Sequence, residues 1–215
     1  DAIPADALWL RVVRSPHARA RFAVGDLEPF LAAHPGLVRV MTAEDIPFNG
    51  HGINPAIKDQ PVLADGVVRY RGEAVVALVG ERTAVAAIRD EELPIHYEPA
   101  EAVTDVATAT KEDATLVQED KSGNLLIEGY VTRGDTEGAL GQCAAVAEGD
   151  FETAYVEHAY IEIEAGWARR VGERLELHVT TQAPYMNREE VANILRISED
   201  RVRIVPTACG GGFGG

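Results

Sequence analysis

Short apolar runs separated by turn-forming residues organise the first hundred positions of the chain. Residues 8–13, LWLRVV, are almost continuously apolar and predict a buried strand. Residues 26–36, DLEPFLAAHPG, have the spacing of a short helix, with Asp26 placed to cap its start and His34-Pro35-Gly36 placed to end it. LVRVMTAEDIP at 37–47 predicts a second strand running into a turn, and the Gly, Asn and Pro content of 49–61 predicts a loop. The apolar run VVRYRGEAVVALVGE at 67–81 is interrupted by RGE. ERTAVAAIRDEEL then predicts a helix packing through its alanines, and PIHYEPAEAV returns as a strand. This alternation predicts a compact α/β unit of about 100 residues.

The pattern changes after residue 103. Residues 104–142 are polar, with the acidic cluster KEDATLVQEDKSGN and the glycine-bearing GYVTRGDTEGALGQ, and they read as a solvated linker or arm. From Ala144 the alternation in AAVAEGDFETAYVEHAYIEIEAGWARRV predicts a long strand pair. GERLELHVTTQ predicts a turn and a further strand. NREEVANILRIS predicts an amphipathic helix with Val191, Ile194, Leu195 and Ile197 on one side, and DRVRIVPTAC a strand leading into GGGFGG. The expected organisation is a first domain over 1–103, a linker over 104–143 and a second domain starting at 144 and running to 215.

Charge narrows the function classes. Asp and Glu number 35 against 20 Lys and Arg, a formal net charge of −15, which disfavours nucleic acid and anionic membrane as partners. No apolar run approaches the roughly 20 residues that span a bilayer, and DAIPADALWL lacks the features of a secretory signal. The chain opens on Asp1, which leaves room for a natural start upstream. Cys143 and Cys209 are too few for a disulfide framework or a four-thiolate metal site, and a reducing cytoplasm is the simpler expectation.

Several positions could carry chemistry. In Gly210-Gly211-Gly212-Phe213-Gly214-Gly215 five glycines in six positions let backbone N–H groups approach a ligand's oxygens closely, or else form a flexible tail. The run is neither a P-loop nor a dinucleotide fingerprint. Gln182, at the end of HVTTQ and just before Pro184, can donate an amide N–H into a site at the strand end; the alternative is a solvated loop residue. His158, Glu162 and Glu164 share one face if YVEHAYIEIEAG is a strand. His158 then reads as part of a hydrogen-bonded cluster, and Glu164 as a carboxylate supporting the site from behind. His17, His34, His51, His96 and His178 are scattered and make no zinc pattern, and no Gly-x-Ser-x-Gly elbow supports a hydrolase. The basic RSPHARAR reads as a surface or subunit contact.

Taken in order, RSPHARARF, HPGLVRVMTAEDIP, DQPVLADGVVRYRGEAVVALVGE, HYEPAEAVTD, GDFETAYVEHAYIEIEAG, VTTQAPYMNREEVANILRISEDRVRIV and GGGFGG resemble the N-terminal portion of the molybdenum-cofactor subunit of the xanthine dehydrogenase/aldehyde oxidase family. The resemblance spans nearly the whole chain. It implies an α+β fold: an α/β-hammerhead domain followed by the start of a molybdopterin-binding domain. It implies oxidative hydroxylation of an aldehyde or a purine- or nicotinate-like N-heterocycle, with water as the oxygen source. The metal is then held by the pterin dithiolene and not by protein ligands. The cofactor implied is molybdenum–molybdopterin, its cytosine dinucleotide form included. A 2Fe-2S centre and FAD are expected on an iron–sulfur and a flavin partner subunit.

By position in the family's motifs, Gln182 would donate to a molybdenum oxygen ligand. Gly211, Gly212, Phe213 and Gly214 would seat the cofactor, and Glu164 would brace them. The family's general-base glutamate and most pterin contacts fall beyond GGGFGG and are absent from this chain, so the remainder of the molybdenum subunit or another chain is expected to supply them. The competing reading is a non-catalytic assembly module, which would tolerate loss of Gln182 and the glycines; an independent nucleotide-binding domain lacks its fingerprint.

Overall fold

The computed structural model describes residues 3–54, 56–154 and 156–214. These divide into two compact units, one formed by residues 3–102 with 160–214 and the other by residues 103–159.

In the first unit β1 (Trp9–Arg14) and β3 (Leu37–Met41) flank β5 (Ala74–Gly80) in an antiparallel sheet of order β1-β5-β3. A second sheet places β2 (Ala20–Val24) between β4 (Val67–Val68) and β6 (Ile95–Pro99), again antiparallel. As the central strand, β5 is covered on both faces, and Val75, Val76 and Leu78 are at most 1% exposed. Val13, Ala20, Phe30, Val40, Val68, Val85 and Ile88 complete that core. Helix α1 (Leu27–Ala33) follows the sequence expectation: the Asp26 side chain accepts from the Glu28 N–H, and His34 closes the helix. The RGE interruption is a turn. Gly72 takes φ +94°, its N–H donates to the Ser15 carbonyl at 2.8 Å, and the buried Glu73 accepts from the Arg69 N–H.

Two expectations here need correction. The first strand is half exposed: Trp9 and Leu10 face outward at the sheet edge and only Val13 is buried. An apolar run read alone does not distinguish an edge strand from a central one. Helix α2 (Arg82–Ala87) packs through Val85, with Ile88 just beyond it, while Ala86 and Ala87 are exposed. The larger side chains, not the alanines, bury area.

The unit 103–159 is short helices and irregular chain: α3 (Val106–Ala109), capped by Asp105, and α4 (Thr136–Leu140), capped by Asp135. The polar stretch expected as a linker lies within it. The long strand pair expected from residue 144 does not form among the described residues; regular strand begins only at Gly166. Phe151, Val156, Ile161 and Ile163 are all at least 78% exposed. Alternation describes side chains, but a strand also requires a neighbouring backbone to complete its ladder.

Residues 160–214 contribute the third sheet, in which β7 (Gly166–Val171) pairs antiparallel with β8 (Arg174–Val179) and β8 pairs parallel with β9 (Val202–Pro206). Helix α5 (Pro184–Leu195) connects β8 to β9, starts on Pro184 at its first turn and ends where Arg196 turns left-handed at φ 55°. Ile197 thus lies beyond the helix. Loop 48–60 clasps α5: Lys58 bonds Glu190 and the Gly52 carbonyl, the latter at 2.9 Å. The Phe48 N–H donates to the Ile194 carbonyl at 2.9 Å, and Arg196 lies 4.4 Å over the Phe48 ring.

Candidate functional site

The parallel strands β8 and β9 end side by side, and the Thr207 N–H donating to the Val179 carbonyl at 3.0 Å is the final bond between their backbones. Beyond it the two chains part. One runs through Thr180, Thr181 and Gln182 into α5; the other runs through Ala208 and Cys209 into the glycine-rich segment. The carboxyl ends of adjacent parallel strands are where open sheets place ligand sites.

The structure brings Gln182 and the glycines together. Gln182 Oε1 accepts from the Gly214 N–H at 3.2 Å. A Cβ built on Gly212 would lie 2.2 Å from Gln182 Cδ and 2.5 Å from its Nε2, so the side-chain amide packs directly on backbone that only glycine can offer. Gly211 takes φ +131°, and a Cβ there would meet Tyr160 Cβ at 2.8 Å. Phe213 also has positive φ, 50°, uncommon for a bulky residue, and its ring is exposed. Because Gln182 Oε1 takes the Gly214 N–H, the amide end is the part of Gln182 suited to a donor role.

The carboxylates separate. Glu164 is exposed and accepts from the Tyr160 hydroxyl at 2.8 Å. Residues 161–165 form no strand, and the bond from Glu164 to Tyr160 does not reach the glycine-rich segment. Glu162 is the carboxylate that touches the glycine-rich segment: it accepts from Thr180 Oγ1 and from the Gly210 N–H. The Thr180 hydroxyl, and after it the Gly210 N–H, hold the Glu162 carboxyl below the ordinary range. Even spacing puts 162 and 164 on one face, so the sequence carried no signal for choosing between them. Thr180 and Thr207, 3.2 Å apart through their hydroxyls, were not singled out at all. His158 is exposed and lies in the 103–159 unit.

On β7 and β8, Trp167 stacks on His178 at 3.7 Å, and the buried Glu176 accepts from Arg169 Nε at 2.9 Å and Arg203 Nη1 at 3.0 Å. Arg169 first, then Arg203, keeps its carboxyl ionised below the usual range. Cys143 and Cys209 are free and exposed. Among the described residues no three His, Cys, Asp or Glu side chains group so as to hold a metal ion, and no helix is long and apolar enough to cross a membrane.

The site thus combines close-approach glycine backbone with one primary amide. The family described as the aldehyde oxidase and xanthine dehydrogenase a/b hammerhead domain matches residues 1–101, and the molybdopterin cofactor-binding domain family matches residues 117–215. The chain is 32% identical over 212 residues to the nicotinate dehydrogenase large molybdopterin subunit of Eubacterium barkeri, covering 98% of this chain and 49% of that one. It superposes on quinoline 2-oxidoreductase from Pseudomonas putida 86 with a TM-score of 0.85 at 27% identity, covering 100% of this chain and 28% of that one. With aldehyde oxidoreductase from Desulfovibrio gigas the TM-score is 0.86 at 22% identity, a likeness of fold that covers 99% of this chain and 24% of that one. The chain spans about half the length of the nicotinate dehydrogenase subunit and about a quarter of the two solved structures. With a hammerhead domain followed by cofactor-binding sequence, the chain belongs to the xanthine dehydrogenase/aldehyde oxidase family of molybdopterin-dependent oxidoreductases.

Proposed function

We propose that this chain forms part of the molybdenum subunit of a hydroxylase acting on an aldehyde or an N-heterocycle. The observation that carries the reading is the Gln182 amide packed on Gly212 and bonded to Gly214 in a chain that matches both family domains. A molybdenum–molybdopterin group, its cytosine dinucleotide form included, fits residues of this kind, because glycine backbone admits close approach and a neutral amide donates without adding charge. When bound, that group supplies the two-electron oxidation that places an oxygen from water on the substrate carbon.

The chain's own part is to bind and orient. Gln182 Nε2 would donate to an oxygen of that group, and the backbone of Gly211, Gly212, Phe213 and Gly214 would help hold it. Glu164 acts through Tyr160, which it holds by the hydroxyl and against which Gly211 packs. The general-base glutamate belongs to the remainder of the molybdenum subunit, and electrons leave to 2Fe-2S and FAD on partner chains. The relatives' names support the N-heterocycle class: nicotinate and quinoline are both N-heterocycles. We place the hammerhead domain over 1–103, a connecting stretch over 104–143 and the body of the cofactor-binding domain from 144, inside the family match that begins at residue 117. Exposed free cysteines suit a cytoplasmic location.

The test is Gln182→Ala in the complex purified with its natural partner subunits. Single-turnover reduction of the molybdenum centre by substrate is expected to slow toward the roughly 10²- to 10³-fold typical of losing one preorganised donor. Stability should fall by no more than about 0.5–1.5 kcal/mol, the net contribution of the lost bond to Gly214. Unchanged reduction at equal metal content returns Gln182 to the solvated loop.

A further inference from the structure

We propose that Glu162 is the positioning residue that joins the Gln182 strand end and the glycine-rich segment into one cradle, an inference that rests on the functional reading above. The need for such a residue is structural. After the Thr207–Val179 bond, no backbone ladder among the described residues couples the chain leaving β8 to the chain leaving β9. Among the described residues Gln182 and Gly210 are both exposed, and Ile161 and Ile163, the neighbours of Glu162, are 95% and 83% exposed. Packing therefore does not set the spacing between the two chains.

Glu162 is placed to do so. Its Oε1 accepts from the hydroxyl of Thr180, two residues before Gln182, and its Oε2 accepts from the N–H of Gly210, the first glycine of the run. Thr180 continues the connection to Thr207 on the other chain, hydroxyl to hydroxyl at 3.2 Å. The glycine run is thus held at Gly210 by Glu162 and at Gly214 by Gln182, with Gly211, Gly212 and Phe213 between the two fastenings. A carboxylate is suited to this task because both of its oxygens accept, and a hydroxyl and a backbone N–H both donate. The low carboxyl pKa keeps it in the accepting form at neutral pH.

The experiment compares wild type, Glu162→Leu and Glu162→Gln in the complete complex. It reads molybdenum per complex, the molybdenum(V) EPR spectrum after partial reduction, and the melting temperature. Glu162→Leu is expected to lose molybdenum or shift the EPR spectrum, with a decline in metal retention or reduction rate of about 10- to 100-fold, the usual consequence of removing an outer partner of a metal site. Glu162→Gln is expected to keep the wild-type spectrum: its Oε1 still accepts from Gly210, and its Nε2 donates to Thr180, whose hydroxyl turns to Thr207. Should Glu162→Leu fail to assemble, Thr180→Val removes one link alone and is expected to shift the spectrum in the same way. Wild-type metal content and spectrum in Glu162→Leu, or in Thr180→Val where that variant stands in, overturn the inference. So does a Glu162→Gln complex that behaves like Glu162→Leu. A wild-type complex without molybdenum overturns the functional reading itself, and the inference with it.

Discussion

Residues 3–102 and residues 160–214 are both built on three-stranded sheets, and they are held together by different forces. The first region buries Val68, Val75, Val76 and Leu78 almost completely. In the second, the buried hydrophobics among the described residues are Ala192 and Val202, and the buried charge Glu176 sits under two arginines. Its connections past the sheet include hydrogen bonds made by side chains, either to one another, as in Glu162 to Thr180 and Thr180 to Thr207, or to backbone, as in Glu162 to Gly210 and Gln182 to Gly214. A region organised by apolar burial can take up sequence change that preserves volume. One organised by individual donors and acceptors is sensitive to single atoms, and that is where a ligand's oxygens can be recognised.

The contrast is sharpest in Leu78, fully buried on the central strand β5. Leu78→Ala is expected to destabilise the protein by about 2–5 kcal/mol, the range for a large-to-small core substitution. Denaturant unfolding measures this. Metal content of the surviving folded complex should stay at the wild-type value, and a fall in molybdenum per folded complex would show that the two regions are not separable.

Gly212→Ala probes the other side with a smaller effect on stability. The added methyl would overlap the Gln182 amide, so the side chain swings away and its bond with Gly214 is lost. The expected loss of stability is about 0.5–1.5 kcal/mol, the net contribution of one hydrogen bond. Reduction of the molybdenum centre should nonetheless slow as it does for Gln182→Ala. Destabilisation as large as that of Leu78→Ala would mean that the glycine run supports the fold and not the site.

The smallest expected effect is in pH. Glu162 and Glu176 both titrate below the ordinary glutamate value of about 4.3. A carboxyl with a lowered folded pKa contributes stability that is complete above the unfolded value and disappears as pH falls through the folded one. Residues 160–214 are therefore expected to keep their hydrogen-exchange protection from neutral pH down to about 4.3, and to lose it first, ahead of β5, on further acidification. Loss of protection in β5 before β8 would contradict the ranking of the two regions.

Local chemistry was legible in the residue order: the Asp26 cap, the strand 37–41, the body of helix α5 from Asn187 and the strand 202–206 all follow from propensity and turn residues, which act within a few positions of one another. The ordered motifs also carried the family, because their order along the chain is itself specific. Three things waited for the tertiary structure. Which strand is central depends on neighbours distant in sequence, so Trp9 and Leu10 are outward while Val75 and Val76 are enclosed. Alternation at 144–165 met no pairing backbone and made no strand among the described residues. The choice of Glu162 over Glu164 as the carboxylate on the glycine run arose from the parting of β8 and β9. A period of two assigns a face to a side chain, but only the packed chain decides what that face meets.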